Sequence, residues 1–307
     1  MEIEYEPRFV DEAVLRAASV RPEGRLFYRE RERVYTVRDP EQRGRAFDAL
    51  NVAWWERLGL GGPLAEALAD QPLIEREVAR CAVGRPARRE DAGAELLVRP
   101  ASRPGPADRL LRLLLAPELV IAPDVLTPFL RRELQHVADM LDPGFGYEPR
   151  LPVRIGGAAY ERLLRERYRV VWDATVDGRL VRAGRLPARA AAERKVQFVR
   201  VFAGLGERSA STEFARFFAD PAPTHAAIVT FVIAPEAVDG DPRPACPLCA
   251  CPTRDFEPGA LPARVLEAIA DDFPGWQPAD RCCRQCADLY RGRPLSLASA
   301  AALPGVR

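Results

Sequence analysis

Apolar positions recur at helical spacing over most of the chain, so the pattern predicts a predominantly helical protein. Val10, Ala13, Val14 and Ala17 mark a first helix over 8–19. Residues 25–38 hold Leu26-Phe27-Tyr28 and Val34-Tyr35-Thr36-Val37 around a charged run, a pattern that fits two short strands or an irregular helix equally. Asp39-Pro40 then reads as a helix start, cap followed by first-turn proline. Phe47, Leu50, Trp54 and Leu58 form the apolar stripe of that helix and belong in a core, Trp54-Trp55 included. Gly59, Gly61-Gly62 and Pro63 end it, and 64–82 predicts another helix, with Cys81 as a small buried hydrophobe.

Strand patterning is sparse. Glu95 to Val98 reads as a strand, and Leu110 to Leu115, capped by Asp108, is too apolar to lie on a surface. Arg85 to Arg89 is a basic run closed at once by Glu90-Asp91, which reads as a solvated loop. A central helix follows, begun by Asp124 or Thr127 with Pro128 in its first turn, and broken by Asp142-Pro143-Gly144. The Phe145-Gly146-Tyr147 loop after it suits a cleft wall or a packed turn. Helices over 159–181, 190–203, 213–218 and 226–233 complete the set. The second of these is drawn with Val196, Val199 and Phe202 inward, and the first with Tyr160, Leu163, Leu164, Tyr168, Val171, Trp172, Thr175 and Val176.

At 307 residues with 48% hydrophobic and 29% charged content, the chain supports a substantial core and is not disordered on a large scale. The net charge of +1 gives no general attraction to nucleic acid or to a membrane surface. The start, Met1 to Glu6, lacks the basic and apolar regions of a secretory signal, and no run of apolar residues is long enough to span a bilayer. The expected location is the cytoplasm.

Within the central helix, Arg132, His136 and Asp139 share one face, with Glu133 beside them. That face is polar where a core helix should be apolar. The stretch resembles the zincin metallopeptidase helix H-E-x-x-H at Glu133 and His136. It departs from that motif at the first ligand, because Arg132 carries a guanidinium with no lone pair for a metal. The resemblance implies a zincin-like domain over 1–235. It also implies His136 as a remnant metal ligand, Glu133 as general base in any active form, and Arg132 as the residue that blocks the site or replaces its charge. In the gluzincin branch a later helix supplies an acidic ligand and an acid four residues on. Asp173 and Asp177 are similar in spacing and order, which makes Asp173 a candidate ligand and Asp177, with Asp139, a supporting acid. The plainer alternative pairs Asp173 with Arg169 and Asp177 with Arg179. His225, after Pro223-Thr224, reads as a surface or capping residue.

From Pro235 to Pro244 the texture becomes that of a linker. Six of the seven cysteines follow, between 246 and 286. Cys246-Pro-Leu-Cys249 and Cys283-Arg-Gln-Cys286, separated by 33 residues, have the spacing of two knuckles around one tetrahedral metal. A structural zinc is expected, with iron as the alternative because the knuckles also resemble rubredoxin-type sites. Cys251 and Cys282 are spare thiols beside them. The expected module is a zinc ribbon over 236–294, with Phe256, Leu261, Val265, Ile269, Phe273 and Trp276 as a small core and a helix over 262–272, followed by a frayed tail at 295–307. The fold class is α+β, mainly helical. The expected function is that of a catalytically impaired metallopeptidase-like protein that binds or scaffolds an unknown protein partner. The alternatives are an active zinc hydrolase using Glu133, His136 and Asp173, with a second zinc, and a nucleic-acid-binding ribbon factor, which the even charge disfavours.

Overall fold

The computed structural model describes residues 1–100, 105–151, 158–233, 235, 244–249 and 253–301, the side chains of 158–160 and 293–301 excepted. It is mostly helical with one small sheet, and it divides into two compact units, 1–143 and 144–307. The domain boundary expected near 235 falls inside the second unit, and most of the expected linker lies outside the described residues.

The first unit is built on a four-stranded sheet: β1 (Glu2–Tyr5), β2 (Arg80–Gly84), β3 (Gly93–Val98) and β4 (Arg109–Leu114), in the order β1-β2-β4-β3. The first three in that order run parallel and β3 is antiparallel at the edge. Cys81 and Val83 on β2 pair with Leu111 and Leu113 on β4, and all four are buried. This corrects two sequence expectations. Cys81 lies in a strand rather than a helix, and Leu110 to Leu114 belong to the interior strand β4 rather than to a buried helix. A short apolar run does not distinguish the two by periodicity alone.

Helices α1 (Pro7–Val20), α2 (Gly24–Val34), α3 (Pro40–Arg57), α4 (Gly62–Ala69), α5 (Pro72–Glu77) and α6 (Pro123–Leu141) complete this unit. Asp39 caps α3 by accepting a hydrogen bond from the Gln42 N–H at 2.8 Å, as its position before Pro40 predicts. The ambiguous 25–38 stretch is helix through Val34, with Phe27 fully buried. The helix drawn over 64–82 is instead α4, α5 and then β2, because Pro72 restarts the helix after Gln71. α6 begins at Pro123 with no side-chain cap, so neither Asp124 nor Thr127 serves as one.

The second unit contains α7 (Ala158–Arg182), α8 (Ala190–Val201), α9 (Glu207–Ala219), α10 (His225–Ile233), α11 (Ala263–Asp272) and α12 (Arg284–Ala301). The α7 stripe is buried as expected from Leu163 to Val176, and Tyr160 lies outside the described side chains. On α8 the expected stripe holds at Phe202 but not at Val196, and Val199 is only half-buried. Val196 is exposed, while Phe198, Val201 and Phe202 point inward and join Phe214, Phe217 and Phe231 in an aromatic cluster. The phenylalanines carry more apolar area than valine and set the helix rotation. α7 and α9 meet closely at Gly178, where a Cβ would lie 1.9 Å from the Phe218 carbonyl oxygen. The tail expected to fray from Leu295 is helical to Ala301.

Candidate metal centre

Two turns of chain bring four sulfurs together. The first knuckle, Cys246 to Cys249, sits in a turn closed by the Thr253 N–H, which donates to the Pro244 carbonyl at 3.0 Å. The second opens α12, with Cys283 just before the helix and Cys286 in its first turn. Where a ribbon was expected, no named strand forms among the described residues. A single antiparallel bridge joins Phe256 to Cys283. The helix start brings amide N–H groups and the positive end of the helix dipole to the sulfurs. The Cys286 N–H donates to Cys283 Sγ at 3.4 Å, and the Cys283 N–H to Cys246 Sγ at 3.3 Å.

All four sulfurs are buried and lie within 4.8 Å of one another. A tetrahedral ion with metal–sulfur bonds of about 2.3 Å requires sulfurs about 3.8 Å apart. The Cys249 and Cys283 sulfurs are 3.8 Å apart, and those of Cys246 and Cys286 4.0 Å. The residues present therefore fit one metal ion. Hydrogen bonds from the Cys246, Cys283 and Cys286 thiols hold the Cys249 thiol well below its ordinary pKa, and Arg167 acts in the same direction. Burial pushes Cys282 up to about 11, and its sulfur is not among the four that lie together. Burial likewise takes Cys81 up to about 12, as expected of a small core residue. Cys251 lies outside the described residues.

Sequence reasoning missed Arg167. It is fully buried on α7, donates from Nη1 to the Cys249 carbonyl at 3.2 Å, and lies over the Phe202 ring at 5.8 Å. A cage of four thiolates around a dication carries a net charge of −2, so a buried guanidinium beside it supplies part of the counter-charge. The signal was legible. Arg167 lies midway between Leu163 and Val171 on the stripe that the sequence marks as apolar. Around the centre, Leu248, Val265, Ile269, Phe273, Trp276 and Tyr290 are buried, whereas Phe256 and Leu261 are only partly so.

The zincin-like residues are placed differently. In the first unit, Arg132, Glu133 and His136 are half-buried on α6, and Asp139 is buried and accepts from Gln135 Nε2 at 3.2 Å. The Glu133 carboxylate accepts the Ala94 N–H at 2.9 Å, tying α6 to the start of β3. Gly93 permits this approach, since a Cβ there would lie 3.0 Å from Glu133 Oε2. In the second unit, Asp173 and Asp177 converge on a residue that sequence reasoning did not select. Arg194 of α8 donates to Asp173 at 2.7 Å and to Asp177 at 2.9 Å, with Asp177 almost wholly buried. Arg179, expected to pair with Asp177, also donates to the Thr175 carbonyl at 3.2 Å. The short-range pairing rule favoured neighbours on one helix, and α8 packs against α7 from farther along the chain.

His225 is buried rather than exposed. Its ring lies 2.7 Å from the Tyr168 hydroxyl, and its backbone N–H donates to the Phe145 carbonyl at 2.8 Å. Phe145 and Tyr147 both stack on Trp172, so the loop is a packed turn. It is also a cleft wall, since Tyr147 and Trp172 line a cavity of about 710 Å³.

Among the described residues, the four cysteines are the one group of His, Cys, Asp or Glu donors close enough to share a metal. No helix among them is long and apolar enough to cross a membrane. No family model matches the chain, and neither a curated protein nor a solved structure matches it.

Proposed function

We propose that the chain is a non-hydrolytic binding or scaffold protein of the cytoplasm. In this reading its metallopeptidase-like residues are held by charge pairing, and its four-cysteine centre holds one structural zinc. The observation that carries this reading is the Arg194 bridge, in which one guanidinium occupies both acids that a gluzincin-like site would turn toward its metal. Two further features support it. Arg132 offers no lone pair where the first ligand would stand, and the Glu133 carboxylate accepts a backbone N–H of β3. Zinc is the metal proposed because a closed, buried cage of four cysteines is a common form of structural zinc site. A reducing compartment keeps such thiols available for metal.

Elemental analysis of the purified chain tests the reading. One zinc per chain, lost in Cys283→Ser, is expected. A second zinc that survives this change and disappears in His136→Ala, with peptidase activity abolished by Glu133→Gln, would overturn it. Iron in the cage would overturn the zinc assignment alone.

A further inference from the structure

The sheet of the first unit has two edges, and they are protected unequally. A strand edge that offers open backbone groups beside apolar side chains is a template for another strand, and charge or proline along it prevents such pairing. β1 carries Glu2 and Glu4, like charges that repel a second copy of the same strand. β3 carries Leu96, Leu97 and Val98, with Leu97 42% and Val98 47% exposed.

Hydrogen-bond parity shows which groups of β3 face out. The Arg99 backbone N–H donates to the Asp108 carbonyl at 2.8 Å and continues the antiparallel register, so Gly93, Glu95, Leu97 and Arg99 turn their backbone groups toward β4. Ala94, Leu96 and Val98 turn theirs outward. The Ala94 N–H is taken by the Glu133 carboxylate at 2.9 Å, whereas the Leu96 and Val98 N–H groups have no hydrogen-bond partner beyond β3 among the described residues. The open stretch is short, bounded by Glu133 at one end and at the other by Pro100, which has no N–H.

This stretch is complementary to itself. Two copies placed antiparallel about a twofold axis at Leu97 set Leu96 opposite Val98, and each such pairing exchanges both N–H to carbonyl bonds. The same register sets Leu97 against Leu97 and Glu95 against Arg99. Within the chain Glu95 pairs with Arg112 at 2.7 Å, and Arg99 with Asp108 at 3.9 Å, on the face away from buried Leu111 and Leu113. Across the seam the row therefore runs Arg112, Glu95, then Arg99 and Asp108 of the second copy, alternating in sign. A two-residue slip either way sets Leu97 opposite Glu95 or Arg99 and loses those ion pairs.

We propose that the β3 edge joins two copies of this chain into a dimer, pairing Leu96 with Val98 around a twofold axis at Leu97, with Glu95 of each copy against Arg99 of the other. The pairing uses the same edge on both copies, so it closes at two. The contact is short, which places it among the weak interfaces that form at high concentration. It goes beyond the metal-centre reading and does not rest on it.

Sedimentation velocity of the full, metal-loaded chain from about 1 to about 500 µM tests the proposal over a range suited to a small interface. The mass should rise from one chain toward two. Leu97→Lys sets two cations face to face, and Val98→Pro removes an outward N–H without touching the β4 ladder. Each should weaken association about tenfold or more, with circular dichroism checking the fold. Glu95→Arg and Arg99→Glu should each stay monomeric alone, while an equimolar mixture of the two dimerises, because opposite charges then meet in both pairings. A single-chain mass throughout, growth beyond two chains, a dimer that either Leu97→Lys or Val98→Pro leaves unaffected, or no dimer in the mixture would each overturn the proposal. None of these results bears on the metal count.

Discussion

The residue that most constrains the second unit is Arg167, a fully buried cation against the four-cysteine cluster. Removing one member of a buried charge pair costs about 3–5 kcal/mol, since it leaves the other uncompensated. Here the partner charge is greatest with metal bound, when all four thiols are deprotonated. Arg167→Leu should therefore destabilise the metal-loaded protein by about 3 kcal/mol and the metal-free protein by much less. Paired thermal melts of both forms check this. Equal losses in the two forms would mean that Arg167 acts by packing alone. His225 makes a second claim at this scale. Burial lowers its pKa, partly opposed by the Glu148 carboxylate, with the Tyr168 hydroxyl at Nδ1 and the Phe145 and Tyr147 rings around it. The unfolded chain then takes up the proton first as pH falls. The stability that depends on a neutral His225 is complete above about 6.5 and is lost below it. Between pH 7 and 5, metal-saturated His225→Gln should lose stability less steeply than the parent. An identical slope in denaturant titrations would contradict this.

The contact between α7 and α9 depends on the absence of a single side chain. With a Cβ at Gly178 only 1.9 Å from the Phe218 carbonyl, Gly178→Ala must force the helices apart. Although alanine favours a helix by about 1 kcal/mol over glycine, overpacking of this kind costs about 1–3 kcal/mol or more. A net loss of stability is expected by denaturant titration, and a gain would show that the helices yield freely. Elements of this kind separate what was legible from what was not. The α3 cap at Asp39 and the α7 stripe follow from local pattern, and both appear where the sequence puts them. The strand character of Leu110 to Leu114 depends on pairing with β2 from distant sequence, so local pattern leaves it open. The four cysteines announce their site by spacing alone. Arg194 does not, because its acids lie on another helix and only the packing of α8 on α7 joins them. Arg167 was visible as a cation inside an apolar stripe, a signal that periodicity alone reads as noise.

At the scale of the whole molecule, the two units differ in what holds them. The first has a continuous core running from Phe9 through the sheet to Ala138, with no metal donor group in it among the described residues. The cysteine-bearing part of the second is small, and its two knuckles meet at their buried sulfurs. Structural zinc in zinc-finger peptides contributes about 10–16 kcal/mol, comparable to the whole stability of an ordinary domain. Chelation should therefore act unevenly. In metal-free protein, hydrogen exchange over α11 and α12 should approach unprotected rates, while β2, β4 and α1 keep their protection. Cys249→Ser should reproduce this pattern with metal present in solution. If the amides of Cys81 to Val83 and Leu111 to Leu113 lost protection in step with those of α12, the units would fold as one, and the metal would stabilise the entire chain rather than the part that binds it.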